Sequence, residues 1–188
     1  MTQWSQEAHA RIAAAIKAAR GKRSAQWLAD RTAELGHPIT RAQIANYESG
    51  RKQSLDIIEL IVIAAALNTS PVLLVYPGPY YEAVELLPGA NRAQFTAVQW
   101  FSAEEDHGIW RKIHPSAGFN EAADEERAAA LSWLENTRHL RLWRELEDAE
   151  NIRGALVERD DPDRDRQQIA FYDSQIKRLR DELGIGDA

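Results

Sequence analysis

The chain has no cysteine in its 188 residues, which excludes a disulfide framework and a thiolate metal site and makes a reducing cytoplasm its natural home. It also lacks an apolar run of the about 20 residues that a membrane span needs; the longest run, residues 57–67, is short and includes Glu59. The alanine-rich start carries Glu7, Arg11, Lys17 and Arg20, so it does not read as a secretory signal. No His-Glu-x-x-His run occurs, His107 and His114 lie seven positions apart, and there is no Gly-rich phosphate loop or Cys/His cluster. No metal, cofactor or catalytic centre is therefore expected, and a binding protein is expected rather than an enzyme.

What is present divides unevenly. The net charge of -6 combines residues 1–76, with 9 Lys/Arg against 6 Asp/Glu, and residues 77–188, with 14 against 23. The first part can face nucleic acid. The acidic remainder argues against a second broad DNA surface.

The most informative stretch is residues 39–51. Thr40 and Gln43 have the spacing of a capping box, with Ile39 placed to staple against Ile44, and Gly50 supplies a stop. The spacing predicts a helix of about two turns with Ile44 and Tyr47 on one side and Arg41, Ala42, Ala45 and Asn46 on the other. So short a helix must dock its apolar side on neighbours. Its other side has the residue types that read a major groove, Arg pairing with guanine and Asn with adenine, with alanines allowing close approach.

Helices are expected on both sides of this stretch. The first covers residues 5–20, with Ile12 and Ile16 on one face and Gly21 ending it. Ser24 caps a second that carries Trp27, Leu28, Ala33 and Leu35 and stops at Gly36-His37-Pro38. Ser54 caps a fourth, apolar nearly all round and ending at Leu67-Asn68. Ser70-Pro71 opens a short fifth, and Pro77-Gly78-Pro79 ends the unit.

Gly21, Leu28-Ala29, Gly36, the run from Thr40 to Arg51, the Leu/Ile/Ala helix and Pro71-Val72-Leu73-Leu74 together resemble the Cro/C1-type (XRE family) helix-turn-helix domain over residues 8–76. The resemblance implies a five-helix bundle whose third helix enters the major groove of double-stranded DNA. It places Arg41, Ala42 and Asn46 at base-facing positions and Ser24, Gln26, Thr40, Arg51 and Lys52 at phosphates. It also implies an internal ion pair between Lys17 and Glu48. The chain departs from the pattern in one respect. Eleven positions separate Ala29 from Thr40, about one helical turn more than usual, read here as a longer second helix plus a longer turn in which His37 is exposed. Phage-type repressors sometimes add a self-cleaving Ser–Lys domain, and Ala117-Gly118 resembles the dipeptide cut there. With only Lys112 and Lys177 in this half, the required Ser beside a Lys base is not supported.

Residues 77–123 read as a semi-rigid linker, Pro77 to Tyr81, then an aromatic-rich packing segment. Val84 to Leu87 has the character of a short strand or extended segment before Pro88-Gly89, and Asn91 with Gln94 has capping spacing ahead of a helix carrying Phe95, Val98, Trp100 and Phe101. Residues 102–120 should be largely irregular. Trp100, Phe101, Trp110 and Phe119 form a small core or interface in preference to a ligand pocket.

From about residue 120 the sequence is helical to residue 159, with Glu121, Asp124, Glu125 and Glu126 suited to the start. Residues 160–163 break it, and a last helix runs to about residue 183. Ile169, Tyr172, Ile176, Leu179 and Leu183 form a coiled-coil seam. Folding back at Pro162 pairs Leu156 with Ile169, Ala149 with Ile176, Leu146 with Leu179 and Leu142 with Leu183 in one antiparallel register, with Ile152 filling the gap opposite Tyr172. Gly154 is a weak point in the longer helix. Leu131, Trp133, Leu134 and Leu140 lie beyond the last helix, so residues 84–113 or a second subunit must cover them.

The expected fold is therefore mainly all-α: a helix-turn-helix domain at 1–76, a linking segment at 77–123 and a helical self-association region at 124–188. The expected function is a cytoplasmic DNA-binding regulator, a prophage or mobile-element repressor acting as a homodimer through the Leu131, Trp133, Leu134 and Leu140 stripe. The alternatives are a monomer that reads an asymmetric site with both regions, using Arg138, His139, Arg141 and Arg144, and an antitoxin or adaptor whose acidic region binds another protein. Nothing in the chain identifies a small-molecule inducer.

Overall fold

The computed structural model describes residues 2–51, 54–106, 119–158 and 162–186, with the side chains of all but 119–122 and 162–164. The expectations for Lys52, His107, His114, Trp110, Lys112, Ala117-Gly118 and the Phe119 side chain lie outside these. The described chain is mostly helical, with eight helices and one small antiparallel hairpin, and it divides into two compact units, Met1–His107 and Gly108–Ala188.

The N-terminal unit begins with α1 (Gln3–Arg20), which starts two residues before the expected residue 5 and is capped by Thr2. The Thr2 hydroxyl accepts from the Ser5 N–H, which adds a turn's beginning to the helix. Next come α2 (Ala25–Glu34), capped by Ser24, α3 (Arg41–Glu48), α4 (Ile57–Leu67) and α5 (Pro71–Val75). The α4 cap is Asp56, not Ser54: its carboxylate accepts from the Ile58 N–H at 2.7 Å. Ile16, Leu28, Ile39, Ile44, Ile63 and Leu74 are all but completely buried in one core.

The turn between α2 and α3 is held from both ends. Gly36, at φ +84°, lets the His37 N–H reach the Thr32 carbonyl and the Gly36 N–H reach the Ala33 carbonyl, a Schellman closure that only a left-handed residue permits. Thr32 is itself fully buried. Its hydroxyl donates to the Ala29 carbonyl at 2.8 Å and accepts from the Ile39 N–H at 2.9 Å, fixing the residue that precedes α3. Thr32→Val leaves the buried Ile39 N–H unsatisfied and is expected to cost about 1–3 kcal/mol, read as a lowered urea midpoint at unchanged slope.

The segment after α5 belongs to the same compact unit as the bundle. Strands β1 (Ala83–Leu87) and β2 (Ala90–Ala93) pair in antiparallel register, Ala83 with Ala93 and Val84 with Arg92, and α6 (Gln94–Phe101) follows. The Trp4 indole N–H donates to the Glu85 carbonyl at 2.9 Å, which ties the hairpin to α1. The Arg11 Nε donates to the Val75 carbonyl at 2.9 Å, with the guanidinium 5.4 Å from the Tyr76 ring centre, and Phe101 meets Tyr76 edge-on at 6.0 Å. Burial here pushes the Arg11 pKa down and the Tyr76 pKa up. Asn91 does not cap α6, because it lies in β2 and Ala93 occupies the cap position without a side-chain bond. Gln94 is buried and accepts the Gly78 N–H at 3.0 Å.

The C-terminal unit is a helical hairpin of α7 (Phe119–Glu158) and α8 (Pro162–Leu183). Leu142, Leu146, Ala149, Ile176 and Leu179 form its core, with Tyr172, Leu183 and Ile185 against them, and Leu156 is buried further along. The helices run antiparallel, and the residues of three of the four expected seam pairs lie in one cluster. Cross-helix ion pairs Arg138–Glu182, Glu150–Arg180 and Arg153–Asp173 flank that seam. Ile152, by contrast, is 43% exposed, since it lies roughly 60° around the helix from Ala149. It does not fill the place opposite Tyr172. Gly154 lies within α7, and a methyl group there would meet nothing within 4 Å.

The expected stripe at the start of α7 resolves into two surfaces. At 100° per residue, Leu131 and Leu134 continue the hairpin face, whereas Trp133 and Leu140 lie on the opposite side of the helix. Leu131, Leu134 and Leu140 are 60%, 41% and 48% exposed, Trp133 is half-buried, and Trp143 joins the Leu140 side at 44%.

Candidate nucleic-acid interface

α3 is specified locally at both ends. Thr40 caps it, accepting the Gln43 N–H at 3.2 Å, while the Gln43 side-chain oxygen accepts the Thr40 N–H at 3.0 Å, completing the capping box. Ile39 and Ile44 are 1% and 0% exposed, the burial expected of the staple residues. Gly50, at φ +70°, closes the other end, its N–H donating to the Tyr47 carbonyl.

The inward side of α3 is fully engaged. Tyr47, 3% exposed, bonds through its hydroxyl to Glu59 of α4, and the Gln43 amide reaches the same carboxylate at 3.5 Å. Glu48 is held in a two-pronged ion pair, but its partner is Arg20. Arg20 Nε and Nη2 donate to the two Glu48 oxygens at 2.6 and 2.7 Å. Lys17, the partner that the family resemblance implied, is exposed one turn earlier. The planar fork of arginine matches both carboxylate oxygens at once, which a lysine ammonium cannot do. This bonding to Glu48 raises the Arg20 pKa. The pair pins the end of α1 to the end of α3 and so fixes the orientation of α3 in the bundle.

The outward side carries Arg41, Ala42 and Ala45, all exposed, and Asn46, half-buried. Arg41 has no intramolecular hydrogen-bond or ion-pair partner among the described residues. A cation at the first position of a helix opposes the helix dipole, so Arg41 is placed where it weakens its own helix and where an external acceptor would relieve it.

The positions matched to phosphate contacts behave differently from one another. Ser24 is exposed and its hydroxyl caps α2 by accepting the Trp27 N–H at 3.0 Å. The Thr40 hydroxyl is likewise occupied in its cap. Gln26 donates to Asp30 at 2.7 Å, so its amide must leave a carboxylate to reach a phosphate. Arg51 is exposed and has no internal bond among the described residues. Sequence reasoning missed Arg23. Its Nε and Nη2 donate to the Arg20 and Ala19 carbonyls at 2.9 and 2.7 Å, and its guanidinium lies 4.0 Å from the Trp27 ring centre. That cation caps the end of α1 beside the start of α2; the Arg/Trp pair four residues apart was the available signal.

Among the described residues no group of three or more His, Asp or Glu side chains could hold a metal ion, and no helix is long and apolar enough to cross a membrane. Comparison with protein-family models, with curated proteins and with solved structures found no match.

Proposed function

We propose that the chain is a sequence-specific double-stranded DNA-binding transcriptional regulator of the Cro/C1 type, a repressor of prophage or mobile-element origin that binds its operator as a homodimer. The observation that carries this reading is α3. Its apolar side is consumed in the core, its ends are fixed by its own cap and by the Arg20–Glu48 pair, and its outer side offers Arg41 and Asn46 with two alanines between them. Arg41 and Asn46 would meet base edges and Ala42 would lie against the groove floor or a thymine methyl, while Ser24, Thr40, Arg51 and Lys52 would meet phosphates.

The alternative in which the C-terminal unit also touches DNA is weakened by what its cations do. Arg138 is paired with Glu182, Arg141 bonds Thr137 and the Leu134 carbonyl, and His139 accepts the Trp143 indole N–H at 3.2 Å. An adaptor role for the acidic half differs in requiring a second protein before DNA is bound.

Selection of bound duplexes from a random pool by the full chain tests the proposal. Enrichment of one sequence with inverted symmetry is expected; no enrichment, with the protein folded, ends it. Affinity for the selected site should also fall with salt by about 0.9 log units per decade for each phosphate neutralised, measured by titration at several salt concentrations. A flat response removes the DNA reading altogether.

A further inference from the structure

We infer that two copies of this chain associate through a second seam on α7, formed by Ala129, Trp133, Asn136, Leu140 and Trp143 and turned away from the contact with α8. The inference deepens the homodimer element of the proposed function and rests on it. The five residues alternate at steps of four and three, the spacing that keeps one face toward a partner helix. At 100° per residue they lie between about 100° and 180° around the helix from Leu142, away from the Leu142, Leu146 and Ala149 face that packs in the hairpin. Leu140 and Trp143 are 48% and 44% exposed, and they border a groove that Arg144, Leu146, Glu147 and Glu150 also line, so the strip reaches the edge of the hairpin core. Glu126 and Glu147 occupy the next seam positions on either side, which limits the apolar strip to two heptads.

The occupant follows from Asn136. It sits at the middle of the strip, exposed, with its Nδ2 donating only to Ser132 Oγ at a long 3.4 Å. An apolar partner helix laid over it would strand its carbonyl oxygen in a dry contact, which is costly. A second copy presents Asn136 again, with a donor and an acceptor on the same amide. It does so whether the helices run parallel in register or antiparallel about that residue. In the antiparallel case Ala129 also faces Trp143, small against large. A single asparagine in a short seam is a known way to fix register and partner number. The area also sets the strength. Even two tryptophans wholly covered, at roughly 150–250 Å² each, leave one partner short of the about 800 Å² of a standard interface. The dimer is therefore reversible, and two adjacent half-sites on DNA would complete it by raising the effective concentration.

The test uses the full chain without DNA, so that its result is separate from that of the duplex selection. Sedimentation across a wide micromolar range should show a monomer–dimer equilibrium. Leu140→Glu with Trp143→Glu, both at exposed positions, should weaken it by about 100-fold or more with helicity retained. Leu131→Glu with Leu134→Glu should leave it unchanged. Asn136→Cys introduces the chain's only thiol and should give a disulfide-linked dimer on oxidation, which reports the seam even where the charged variants fail to fold. A dimer that survives the Leu140/Trp143 change and is lost with the Leu131/Leu134 change overturns the seam while keeping the homodimer. A chain that stays monomeric throughout, with no Asn136→Cys cross-link, overturns both.

Discussion

Glu48→Ala lowers the unfolding free energy of the N-terminal unit by about 1–3 kcal/mol, the range for losing charge-assisted hydrogen bonds at a partly buried site. The Arg20 and Glu48 side chains are 13% and 9% exposed, so water replaces the lost carboxylate only in part. Arg20 keeps its bond to the Arg23 carbonyl, but a neutral acceptor does not offset a full charge. Chemical unfolding of the full chain, followed by the tryptophans of this unit, measures the loss. Two companion changes make the result specific. Lys17→Ala should stay within about 0.5 kcal/mol, as for an ordinary surface site, whereas an effect as large as that of Glu48→Ala would restore lysine as the partner. Replacing both Arg20 and Glu48 by apolar residues should cost much less than either single change, since neither charge is then stranded.

Arg41→Ala weakens binding to the selected duplex by about 1–3 kcal/mol, and the loss should concentrate at one base pair, a guanine being the chemical match for a guanidinium. Protein stability should not fall, because Arg41 is exposed and has no internal partner among the described residues. Arg51→Ala should weaken all duplexes alike and reduce the salt slope by about one contact's worth. Binding curves for both variants on the selected site and on each single-base variant separate the two roles. If the two variants behave identically, α3 does not face the bases in the way proposed.

The parts of the fold legible in the sequence are those whose determinants lie close together. The Thr40/Gln43 box, the Ile39/Ile44 staple and Gly50 span a dozen residues, and each has the structural role its spacing indicated. The hairpin seam was legible for a similar reason, since a seam repeated in two adjacent helices leaves one alignment that buries both. Where two residues offer the same local chemistry, the sequence could not choose. Ser54 and Asp56 are both competent caps, and Asp56 is used. Lys17 and Arg20 share a helix face, and the reach of the guanidinium fork decides. Asn91 and Gln94 imitate a cap, yet the turn at Pro88-Gly89 draws Asn91 into a strand opposite Glu85. The Thr32–Ile39 lock and the Trp4–Glu85 bond join residues that no local pattern connects.

That last bond has a consequence for the order in which the chain folds. In the C-terminal hairpin the innermost seam partners, Leu156 and Ile169, are 13 positions apart, and the outermost, Leu142 and Leu183, are 41 apart. Closing the larger loop first would cost about 1 kcal/mol more, so the pair zips outward from its turn, on the fast timescale of local contacts. Trp4 and Glu85 are separated by 81 positions, and during synthesis the whole of α2 to α5 emerges before Glu85 does. The bundle can therefore assemble while the first turn of α1 still lacks its mate, and the β-hairpin docks as a late event. Trp4 reaches its native surroundings only in that step, and the protection of its indole proton from exchange would time it.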